Sequence, residues 1–211
     1  MPGHHKPVRM SPWRLEASES EEDAIWRLHP ERALAVAHDT ANLLVRGNED
    51  AGDQATTLER LNRFVEQEGI ETLAELWAGA EPVSLPGALF RLYQIRDQIT
   101  KRPDVIGDIV QRGIDSLHTI DPVVVGAQEP VTASEVTGII DRVLRGGFSG
   151  ELGPALERAA ALARVIAAGL LNWPEGEGSD EHQLALRSLA WDVVATDLAN
   201  CARSEKVGRL R

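Results

Sequence analysis

The chain has 211 residues, 43% of them apolar and only 4% aromatic, which is too apolar for wholesale disorder and enough for one large core or two small ones. Its 33 acidic against 22 basic residues give a net charge of −11, which opposes counterion release from nucleic-acid phosphates and attraction to an anionic membrane. Cys201 is the only cysteine, which rules out an intrachain disulfide and any multi-cysteine metal site.

Lysine appears only at Lys6, Lys101 and Lys206, and the arginine-heavy remainder fits the coding bias of a GC-rich genome. Pro2, His4, His5, Lys6, Pro7 and Arg9 leave no secretory apolar segment near the start. The longest apolar run, Ala159 to Leu171, is broken by Arg164 and falls short of the roughly 20 residues a bilayer requires. A cytoplasmic protein with no membrane attachment is the expectation.

Residues 1–18 read as a flexible arm, and residues 19–211 as a single helical domain. The acidic run Glu19, Glu21, Glu22 and Asp23 suits the first turn of a helix through Trp26 and Leu28. Pro30 then restarts a helix whose face is Leu34, Ala37, His38, Ala41, Leu44 and Val45, ended by Gly47. After a polar loop at 48–54, Leu58, Leu61, Phe64 and Val65 point inward on a further helix closed by Gly69. Ile70, Leu73, Ala74 and Trp77 define a short helix that stops at Gly79.

Ser84 is the expected N-cap of a helix with the stripe Leu85, Ala88, Leu89, Leu92, Ile95 and Ile99. Pro103 starts the next, with Ile106, Ile109, Val110, Gly113 and Leu117 on one side. Two prolines, a glycine and three consecutive valines make 118–131 an extended crossing and the expected boundary between two sub-bundles. Thr132 and Glu135 form a capping-box pattern ahead of Val136, Ile139, Ile140, Val143 and Leu144.

The stretch from about Pro154 to Leu171 is apolar nearly all round, the pattern of an enclosed helix. An acidic glycine loop at 175–181 leads to a last helix whose inward face is read as Leu186, Leu189, Ala190, Val193 and Leu198. Arg203, Lys206 and Arg209 lie near its end, where cations favour the helix dipole. The fold class that follows is all-α, a bundle of seven or eight helices.

Leu85-Pro86-Gly87-Ala88-Leu89-Phe90-Arg91 matches Leu152-Gly153-Pro154-Ala155-Leu156-Glu157-Arg158 in four positions at an offset of 67 residues. Shared capping grammar explains this better than a duplicated hairpin, because the period recurs only once. The strings LAELWAG, SLPGALFRLYQIRD and GGFSGELGPALERAAALARV resemble a family of all-helical actinobacterial proteins with no assigned activity, over about residues 30–172. That resemblance implies a helical fold and carries over no catalytic residue, cofactor or substrate.

Several residues are candidates for chemistry. His38-Asp39 on a helix is the core of the HD-type metal-dependent hydrolase site, which also needs a histidine upstream and an aspartate downstream. His29, His4 and His5 are the upstream options, and Asp97, Asp104 and Asp108 the downstream ones. The competing expectation is a core histidine bonded to Asn42 or a backbone carbonyl.

Arg164 is the lone charge in three apolar turns, so an internal ion pair with Asp192 or Asp197 is expected, with a ligand pocket shared with Tyr93 as the alternative. The loop Gly146-Gly147-Phe148-Ser149-Gly150 lacks the Lys-Ser/Thr of a phosphate cradle and is better explained as a helix stop. Trp13 and Arg14 in the arm are candidates for contact with a partner. With no catalytic or cofactor motif in view, the expected function is a non-catalytic interaction or regulatory module that associates with another copy or another protein. The hydrolase and the small-molecule binder are the alternatives.

Overall fold

The computed structural model describes residues 30–47, 61, 63, 65, 69–117, 132–145, 152–173 and 180–211. Seven helices run through the described residues: α1 (Pro30–Arg46), α2 (Ile70–Trp77), α3 (Leu85–Lys101), α4 (Pro103–Leu117), α5 (Ala133–Leu144), α6 (Leu152–Leu171) and α7 (Glu181–Lys206). Residues 61, 63 and 65 are also helical, and no strand occurs among the described residues. The protein is all-α, as its periodicity predicts. None of these helices is long and apolar enough to cross a membrane.

Local signals set the helix starts. Ser84 is extended and its hydroxyl accepts a hydrogen bond from the Gly87 amide at 3.1 Å, capping α3. Thr132 does the same for α5 through the Glu135 amide at 3.2 Å. The other half of the expected capping box is diverted, because the Glu135 carboxylate instead accepts from Arg158 of α6. Asp180 caps α7 through the His182 amide at 3.0 Å. Gly69, at φ 89°, is the N-cap residue of α2.

The inward stripes of α2 to α6 follow the sequence pattern closely. Leu73, Ala74 and Trp77 of α2 are buried, as are Leu85, Ala88, Leu89, Leu92, Ile95 and Ile99 of α3. On α4 the buried set is Ile106, Ile109, Val110 and Gly113, with Leu117 packed at its margin. In α1, Ala37, Ala41 and Leu44 are buried, while Leu34 points outward.

Thirteen of the twenty residues of α6 are buried, making it the central rod, with α7, α4, α5 and α3 packed around it. Its crossing with α4 brings the two backbones together: a Cβ on Gly113 would strike the Val165 carbonyl oxygen, and one on Gly169 the Ile109 carbonyl oxygen. Buried side chains from both sides of 118–131 belong to one hydrophobic cluster. The segment itself lies outside the described residues, as do the arm at 1–18, the 48–54 loop and the 146–150 glycine loop.

The last helix departs from expectation. The face of α7 turned to the core is Ser188, Trp191, Val194, Ala195, Leu198, Cys201 and Ala202. Of the five residues expected inward, only Leu198 is buried. Leu186, Leu189 and Val193 are 47%, 60% and 50% exposed, on the opposite side. The helix carries two apolar stripes, and its neighbour decides between them. Alanine-rich α6 admits the stripe with small residues at 188, 195 and 202, and the Ser188 hydroxyl donates to the Ala167 carbonyl at 2.9 Å.

Candidate functional site

Of the groups proposed from sequence, the upstream histidines His4, His5 and His29 lie outside the described residues. His38 is half-buried and Asp39 exposed on α1. Asn42 donates its side-chain amide to the backbone carbonyl of His38 at 2.9 Å, a contact within the helix that leaves the imidazole out. Of the downstream carboxylates, Asp97 pairs with Lys101 at 2.9 Å, and Asp104 and Asp108 are exposed on α4. Among the described residues no group of three or more His, Cys, Asp or Glu could hold a metal ion.

Arg164 is exposed and forms no ion pair with a described residue, which corrects the expectation of a buried pair with α7. The reason is geometric. Glu157, Arg164 and Leu171, seven residues apart, are all exposed along one line of α6 that its neighbours leave open to solvent. Asp192 is likewise exposed, and Asp197 is taken by Arg91, whose Nε donates to Asp197 Oδ2 at 3.0 Å.

Tyr93 is half-buried, and its phenol is pushed up to about 12 by burial first and then by Asp97, Glu71 and Glu75, partly offset by Arg96. Arg164 is not among the charges acting on it. Trp13 and Arg14 lie outside the described residues.

Cys201 is buried against the Pro82 carbonyl, and burial pushes its thiol up to about 11. A thiol held in its protonated form is a poor nucleophile. Arg187 is held below the usual guanidinium range by burial and by the charge of Arg102.

What remains is the outer face of α7. His182, Leu186, Leu189, Val193, Thr196 and Asn200 follow one another at alternating steps of four and three, so they lie along one seam. All are exposed except Asn200, which is half-buried and whose side-chain oxygen accepts from Arg203. The seam is opposite the buried face, which makes α7 apolar on two sides. The apolar part of the seam is Leu186, Leu189 and Val193, which stand in solvent.

The signal was present in the sequence as the very leucines assigned to the core. Spacing alone could not show that a second stripe would take the inside position. No family model, no curated protein and no solved structure matches the chain.

Proposed function

We propose that the chain is a cytoplasmic helical interaction module that associates with a second copy of itself through the outer face of α7. One observation carries this reading: Leu186, Leu189 and Val193 form an apolar stripe in solvent on a helix whose opposite face is already packed. Burying it removes apolar surface from water at about 25 cal/mol per Å², without disturbing the core. The two sides also differ in kind. The buried side uses small residues for close approach to α6, whereas the outer side offers branched side chains suited to a partner helix.

Sedimentation equilibrium across micromolar concentrations tests the proposal. The mass of the wild type is expected to rise from 23.0 kDa toward twice that value. Leu189→Glu is expected to hold the protein at the monomer mass and to melt like the wild type at concentrations where both are monomeric. A wild type that stays monomeric throughout would overturn the reading.

A further inference from the structure

We infer that two copies pack antiparallel along the α7 seam, with the acidic start of each helix against the basic end of the other. This rests on the self-association proposed above and adds its orientation. A stable interface buries about 800 Å² on each partner, more than three exposed aliphatic side chains supply. The flanking charges must therefore favour the contact, and they do so in one orientation only.

Asp180 and Glu181 stand at the start of α7, and Arg203 and Lys206 in its last turn, all exposed. None of the four is in an ion pair with a described residue. Antiparallel pairing about an axis near Val193 brings Glu181 of one copy beside Arg203 and Lys206 of the other, at both ends of the seam. It also opposes the two helix dipoles favourably.

Parallel pairing sets acid against acid at one end and base against base at the other. In that orientation the flanking position 192 of one helix faces position 197 of its partner, the usual coiled-coil relation between flanks. Both are aspartates, and Asp197 is already committed to Arg91.

Disulfide trapping in full-length protein decides the orientation. Cys201→Ala removes the one native thiol, and His182→Cys or Val207→Cys then places a single thiol at either end of the seam, leaving the four charges in place. Antiparallel packing predicts that the two variants, mixed and oxidised, give mainly the mixed dimer, while each alone stays largely uncrosslinked.

Same-site dimers from each variant alone would overturn the orientation and leave self-association standing. So would the absence of any cross-link in protein that sediments as a dimer sensitive to Leu189→Glu. A monomer at every concentration would overturn both proposals, as expected if another segment of the same chain covers the seam. Raising salt from 0.05 to 0.5 M is expected to weaken the antiparallel dimer several-fold, and no change in dissociation constant would count against it.

Discussion

At Gly113 and Gly169 the obstacle to a side chain is the backbone of the other helix, which cannot rotate away as a side chain does. Gly113→Ala and Gly169→Ala are each expected to cost about 1–3 kcal/mol, the range of overpacking in a tight core. Thermal melts of the two variants check this, with Gly107→Ala as the control, since nothing crowds a Cβ there. Helix propensity favours alanine over glycine, so Gly107→Ala is expected to be neutral or stabilising, and a loss there equal to that at Gly113 would show that the crossing is not what is being measured.

Cys201 gives a pH prediction of definite sign. Its folded-state thiol is raised from 9.0 to about 11, so the unfolded chain ionises first as pH rises. The contribution is fully present below pH 9 and is lost between about 9 and 11. Urea midpoints should fall across that window, and Cys201→Ala should flatten the fall. Tyr93, raised to about 12, adds loss of the same sign above pH 10.

These residue-scale features were only partly legible in the sequence. The Ser84 and Thr132 caps could be named because a cap is a local arrangement of four residues. The exposure of Arg164 could not, because it depends on which line of α6 the other helices leave open.

Helices α2 to α6 were legible because each has one apolar side, or in α6 almost no polar one, so periodicity alone orients them. In α7 periodicity offers two answers. The clue that separates them is Ser188, Ala195 and Ala202, small residues seven apart that match the alanines of α6, and it becomes decisive only once α6 is known as the partner.

The corrected register is testable by truncation. Leu198→Ala is expected to lose about 2–5 kcal/mol as a buried leucine. Leu189→Ala should change the stability of the dilute monomer by less than about 0.5 kcal/mol, as surface substitutions usually do. Chemical denaturation at low protein concentration measures both, and equal losses would put α7 back in the register first expected. The same Leu189→Ala change should weaken self-association, so its effect on melting should grow with protein concentration.

At the scale of the whole molecule, the end of α7 holds the first described helix in place. Gly208, at φ 66°, reverses the chain: its amide donates to the Glu205 carbonyl and that of Arg209 to the Ser204 carbonyl, both at 2.8 Å. This paired closure is a Schellman motif, and it turns Leu210 inward to a buried position. Arg46 of α1 then bonds the Glu205 carboxylate at 2.8 Å and the Leu210 carbonyl at 2.9 Å. The Arg211 carbonyl oxygen accepts from the Leu85 amide at 2.8 Å, at the start of α3.

Residues 46, 85 and 210 are far apart in sequence, so only the folded topology joins them, and no local pattern announced the joint. Leu210→Ala is expected to cost about 2–4 kcal/mol, toward the lower end for a buried leucine, because a chain segment this near the surface can settle into the space. Hydrogen exchange localises the effect. The Leu85 amide should lose protection in Leu210→Ala well beyond the global loss, while amides of α4 and α6 should follow global stability alone. Uniform loss at all of these sites would mean that Leu210 is ordinary core and that the chain reversal at Gly208 does not fasten α1 and α3.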